Sequence, residues 1–248
     1  RVMYRPGFAV QARELTTQQS IMQNQIEKFG DHIFKNGAVV IPGNLTYDTN
    51  WQAILLTSFS GTLANFKNTK ITGGTSGVTA NVVDTIAAAD EDPDYLSVKY
   101  LSTGNYSTSH TRVLNETITS DAATGETAIV SNVTTGSAVH VDAGVFYING
   151  FFVDVAAQTL VLSPASKFTS YRVGFDIAET FITSTDDTTL LDNAQGSSNE
   201  NATGSHRFKI TLTLAKYETS EVTDSTFIEL MRIEFGKIVK QVENTPYN

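Results

Sequence analysis

A chain of 248 residues can form one large domain or two smaller ones, each able to bury a core without staples. Zero Cys excludes disulfides, thiolate catalysis and Cys-ligated metal sites, and a net charge of -9 argues against a general nucleic-acid binder, because phosphate neutralisation needs Lys and Arg. No run approaches the ~18 consecutive apolar residues that span a bilayer, so neither nucleic acid nor membrane is an expected partner.

The chain opens with Arg5-Pro6-Gly7, a turn signal. A helical pattern follows from about Glu14 to Phe34. Leu15, Met22, Ile26, Phe29 and Ile33 step by 7, 4, 3 and 4, a narrow apolar stripe at helical period. Thr16 or Thr17 is a possible N-cap, Gly30 weakens the interior, and Gly37 is a plausible stop. At period 3.5 the stripe reads as a parallel bundle seam with copies of the same chain, interrupted by Gln18, Gln19 and Gln25. The bland alternative is one amphipathic helix packed on its own β domain.

After the helix the periodicity becomes strand-like. Val39-Val40-Ile41 is a short β-rich run ended by Pro42-Gly43. From Asn44 to about Val133, short apolar bursts lie in Thr, Ser and Gly. Strands are expected at Ala53–Leu56, Lys70–Ile71, Thr79–Val83, Leu96–Tyr100 and Thr127–Val130. The clearest feature beyond is Val145-Phe146-Tyr147-Ile148-Asn149-Gly150-Phe151-Phe152-Val153. Asn-Gly between two apolar runs predicts a hairpin with a type I′ turn. Thr159–Leu162, Tyr171–Thr183 and Phe208–Leu214 follow as strands. Ser184–Ser205 is a long polar loop, unusual in a compact domain. Ile228–Phe235 and Lys237–Val242 read as a last hairpin turning near Gly236, with a helix as the competing assignment.

Residue types for catalysis are scarce. His32, His110, His140 and His206 show no metal-ligand spacing, and no Ser lies in a G-x-S-x-G elbow. Gly74-Thr75-Ser76-Gly77 reads as a tight turn. Neither common nucleotide fingerprint occurs. Asp90-Glu91-Asp92-Pro93-Asp94 clusters carboxylates, but an EF-hand would need Gly and Glu where Tyr95 and Leu101 stand. Solvated acidic loops are the better reading there and at Asp186, Asp187 and Asp192. No catalytic, cofactor-binding or metal-binding residue is therefore assigned, and no cofactor is expected. An enzyme such as a polysaccharide depolymerase would need a carboxylate pair at fixed separation, and nothing marks one. Trp51, Tyr95, Tyr100 and Tyr106 near polar loops suggest a receptor- or carbohydrate-binding module as the alternative function. The bland reading is that they fill small β cores.

The block Tyr4-Arg5-Pro6-Gly7-Phe8-Ala9-Val10-Gln11-Ala12-Arg13-Glu14-Leu15 and its continuation from Gln19 to Lys35 resemble the start of a virion structural protein of tailed phages. The likeness is to marine and cyanobacterial contractile-tailed phages, in a family on which a domain of unknown function is defined. Phe146 to Val153, Ser170-Tyr171-Arg172-Val173-Gly174, Leu190 to Gly196 and Arg207 to Leu212 extend it. Ile71 to Ala80 resembles a β module that recurs in phage tail proteins. Lys28 stands where the family pattern has Arg. Family members are usually longer, and the absence of a closing element at Tyr247-Asn248 suggests a piece of a longer polypeptide.

The expected fold is mainly β with one N-terminal α-helix and two β-sandwich or barrel-like domains, the first inserted after the helix. The expected division is 1–43 for docking or oligomerisation, 44–137 for the inserted module and 138–248 for the second β domain. The resemblance implies a non-enzymatic tail, baseplate or fibre-adaptor component in the virion. Its partners would be itself, as a homotrimer, and other tail, baseplate and fibre proteins. The candidate oligomerisation or docking residues are Leu15, Met22, Ile26, Phe29 and Ile33.

Overall fold

Hydrophobic residues at alternating positions, punctuated by Gly and Asn turns, fold into antiparallel sheets behind a single helix. The computed structural model describes residues 1–41, 43–88, 93–105, 115–221 and 225–242. Helix α1 spans Ala12–Ile33. It starts earlier than the Thr signals suggest, because the Gln11 backbone N–H donates to the Glu14 carboxylate at 2.9 Å. Thr16 and Thr17 instead donate their hydroxyls to the carbonyls of Ala12 and Arg13, four residues back. The helix stops at Phe34, which is already extended and donates its N–H to Gly30 at 2.7 Å. Gly37 does not close the helix. Its N–H reaches the Tyr147 carbonyl and starts the pairing of the next segment.

The strands are β1 (Val39–Ile41), β2 (Leu45–Phe59), β3 (Lys70–Gly73), β4 (Thr79–Ile86), β5 (Tyr95–Ser102), β6 (Thr117–Ser120) and β7 (Thr127–Val141). They continue with β8 (Gly144–Ile148), β9 (Phe151–Val155), β10 (Gln158–Ser163), β11 (Tyr171–Ile182), β12 (Arg207–Glu218), β13 (Phe227–Glu234) and β14 (Lys237–Gln241). The Asn149-Gly150 hairpin forms as expected, with φ of 47° and 86° at its two central residues. The last segment is also a hairpin, turning at Phe235 and Gly236, both at positive φ.

Two cores result. In the first, β7, β2, β5, β4, β3 and β6 pair in that order, and β6 pairs back to β7. This closes a six-stranded antiparallel barrel. Every one of its strands contributes to the interior, through Ile54, Ile71, Val82, Leu96, Ile118 and Val130 among others. Closure removes the free edges that would invite pairing with other chains. Buried Glu116 accepts the backbone N–H groups of Thr75 and Ser76 at 2.7 and 2.8 Å, and the Ser76 hydroxyl. That carboxylate ties the start of β6 to the Gly74–Gly77 turn.

The second core gathers side chains from two further sheets, ordered β1-β8-β9 and β12-β11-β13-β14, and from the lower ends of β7 and β10. Phe146 and Phe175 meet edge to face at its centre, 4.9 Å apart. Strands β2 and β7 run through both cores. Leu45 to Asp48 pair with Val141 to Ala138 beside the second core, and Trp51 to Phe59 pair with Gly136 to Ala128 in the barrel. The register shifts between Asp48 and Trp51, at the junction. There the Ser163–Lys167 segment crosses the strands and accepts hydrogen bonds from Thr134, Ser137 and Tyr47. Gly136 has no room for a Cβ, which would overlap the Ser163 carbonyl. Gly136→Ala is expected to cost about 1–3 kcal/mol through this overlap, read as a lower thermal midpoint.

The outer face of the four-stranded sheet carries a charge cluster. The Glu229 carboxylate sits 2.6 Å from Arg172 Nε, 2.9 Å from Arg232 Nη2 and 3.3 Å from Lys240 Nζ. Burial pushes its pKa up, but hydrogen bonds from Arg232, Arg172 and Lys240 outweigh this and bring it down to about 2. In the unfolded chain it titrates near 4.5. As pH falls the unfolded chain takes up the proton first. The cluster's contribution is therefore intact above the unfolded pKa and is lost as pH drops toward the folded one. The expected loss is about 2 kcal/mol, after discounting the exposed Arg232 and Lys240 ends for screening. Denaturant unfolding at stepped pH checks this, and Glu229→Gln should flatten that acid limb.

Candidate assembly interface

Helix α1 meets the β body through an unexpected face. Gly30 is the only buried residue of the helix. A Cβ there would stand 2.5 Å from the Tyr147 hydroxyl, so the absence of a side chain is what admits the ring. The Tyr147 hydroxyl lies 3.0 Å from the Glu27 carbonyl and donates to Asp31 Oδ1 at 2.8 Å. Burial, then the Asp31 hydrogen bond and charge, push its pKa up to about 12. Gln23 donates to the Gly150 carbonyl at 2.8 Å, and the Asn36 side chain bonds Asn149 twice, donating to its Oδ1 and accepting its backbone N–H. Phe34 packs against Tyr147 at a tilt and against Phe152 edge-on, with ring centroids 5.5 and 5.8 Å away. The Asn149-Gly150 turn thus does two jobs: it reverses the chain and it receives the helix.

Gln23, Glu27, Gly30 and Phe34 mark the docked face. At 3.6 residues per turn it lies about 100° around the helix from the apolar stripe. Leu15 is 53%, Met22 57%, Ile26 44%, Phe29 68% and Ile33 45% exposed. All five candidate residues therefore share one exposed face, set to the side of the docked one. The contacts that hold the helix to the body begin at Gln23. Ahead of it, Tyr4 donates to Gln18 at 2.6 Å, laying the N-terminal segment back along the helix. That segment adds exposed Met3, Phe8 and Val10.

A 22-residue helix with one buried residue has little tertiary support, and most helical stability in proteins comes from packing an amphipathic face. Covering each Leu, Ile, Met or Phe of the stripe, already about half-covered in the single chain, is worth about 1 kcal/mol, roughly half the value of full burial. The geometry therefore provides a helix that gains much of its stability when the stripe is covered.

Elsewhere the polar residues have local roles. His140 lies 2.8 Å from the Thr159 hydroxyl and 2.9 Å from Asp142 Oδ1, across β7 and β10. In the Ser184–Ser205 loop, Asp186 accepts the Thr183 hydroxyl and N–H, and Asp187 does the same for Thr189. These bonds hold both carboxyls below their usual range. Leu191 bridges Thr203 and closes the loop on itself. Among the described residues, no group of three His, Asp or Glu side chains converges as a ligand set. No described helix is long and apolar enough to cross a membrane. Tyr95 is buried at 4% exposure, and the Trp51 indole nitrogen is buried without a hydrogen-bond partner among the described residues. Tyr106, His110 and Asp90 to Asp92 lie outside the described residues.

The dock itself was hidden in the sequence. Gly30 reads there as a weak helix position, and Tyr147 as one more strand aromatic. Their contact spans 117 positions of chain and leaves no local signal.

No curated protein gives a significant match to this chain, and no solved structure does so either. Residues 101–248 match the model of a domain of unknown function, DUF4815, and because that match covers more than half of the chain, the protein belongs to this family.

Proposed function

We propose that the chain is a non-enzymatic structural component of a phage tail or baseplate, which assembles with itself, as a homotrimer, and connects fibres to the tail. The exposed stripe from Leu15 to Ile33 carries this reading. It is an apolar seam on a helix that is fastened to its body by another face. The resemblance of the N-terminal block to tailed-phage virion proteins supplies the setting. The two braced cores supply rigid spacing, and neighbouring tail and fibre proteins would contact the remaining β surface.

Immunogold labelling tests the setting. Antibodies against residues 1–248 are expected to mark the tail or baseplate of particles whose genome encodes the chain. Particles that remain unlabelled, while the free protein is detected in the lysate, would rule out a virion component.

A further inference from the structure

The stripe fits a seven-residue repeat across the whole helix. Ala12, Gln19, Ile26 and Ile33 fall at the first core position, and Leu15, Met22 and Phe29 at the second. The one polar core residue is Gln19, which is exposed. The charged residues of the helix, Arg13, Glu14, Glu27, Lys28 and Asp31, all lie outside the core and its flanks. The flanks hold Thr16, Gln18, Gln23, Gln25, Gly30 and His32, and of these Gln23 and Gly30 also face the body. Flanking charges normally choose the partner and its direction. Here none does so.

This neutrality fits a second copy of the same chain. Copies with a net charge of -9 repel one another unless they meet on an uncharged surface, and this seam is uncharged. A basic partner would find no acid along the seam to answer it.

On the reading that the chain self-assembles, we propose that Gln19 is the layer that sets its copies parallel and in register. The side-chain amide both donates and accepts hydrogen bonds. In a parallel, in-register bundle, Gln19 meets only Gln19, and the amides pair. A slip of one repeat sets it against Ala12 or Ile26, and reversal of one helix sets it against an apolar residue of the second core position, Met22 or Phe29. Each alternative leaves a desolvated amide without a partner, which buried packing disfavours. Gln19 thus trades some stability for a single arrangement.

The chain has no Cys, so an introduced one is the only thiol present. Leu15→Cys, in the core near one end of the helix, is expected to form disulfide-linked pairs under mild oxidation, because only parallel copies bring the two thiols together, and Asn24→Cys, on the outer face, is not. Gln19→Ile is expected to dissociate at a roughly tenfold lower concentration while giving mixed masses. Far-UV circular dichroism confirms that each variant keeps the β body. If Leu15→Cys stays unlinked while the unmodified chain is oligomeric, the parallel in-register arrangement is wrong. If Gln19→Ile keeps one unchanged mass, Gln19 does not set the register. An unmodified chain that is monomeric would remove the self-assembly reading itself.

Discussion

Tyr147→Ala is expected to lower stability by about 3–5 kcal/mol, the range for truncating a large buried aromatic. Tyr147 is fully buried and stands where β8, the helix and the Phe34–Phe152 pair meet. Truncation removes the ring that fills the Gly30 notch and the hydroxyl that bonds Asp31. Such a loss is a large fraction of a typical domain's stability. Guanidinium unfolding should show a lower midpoint, and helical circular dichroism should fall before the β signal. Tyr147→Phe separates the two effects. It keeps the ring, so it should cost about 1 kcal/mol for the lost hydrogen bond. If Tyr147→Ala left the helical signal and the midpoint in place, the dock would not be where the helix is held.

Ile26→Asp is expected to lower the oligomeric state without unfolding the body. Ile26 is 44% exposed in the single chain, so the change removes little from either core. Surface substitutions away from special features usually change stability by less than about 0.5 kcal/mol. In an assembled seam the same change buries a carboxylate beside its own copies, which repel it. The prediction is therefore asymmetric: a large effect on mass and almost none on the monomer's melting. A matched charge on the outer face, Asn24→Asp, should change neither. Sedimentation or light scattering on the three proteins at equal concentration separates these outcomes.

Features with short-range signals were legible in the sequence. The Asn149-Gly150 turn, the alternation of Ile210, Leu212 and Leu214, and the helical stripe are local patterns that dictate local structure. The chain is mainly β behind one N-terminal helix, as those patterns imply. Strand lengths were less legible. β2 and β7 continue through Thr46-Tyr47-Asp48-Thr49-Asn50 and Ser131-Asn132-Val133-Thr134-Thr135, stretches too polar to read as strand. Most of their polar side chains stay exposed, so they interrupt neither core. β6 was missed because Thr117-Ile118-Thr119-Ser120 has one apolar residue, although that residue, Ile118, is fully buried and its strand closes the barrel. The stripe itself was visible, but which face of the helix meets the body was not. That depends on a notch at Gly30 and a ring at Tyr147, brought together only by the fold.

The most direct measurement is the solution mass of residues 1–248 by light scattering across a concentration series. The expected result is a stable species of three copies of the 26.9 kDa chain, dissociating only on dilution. A monomer at every concentration would contradict it, because the exposed seam would then have no affinity for itself.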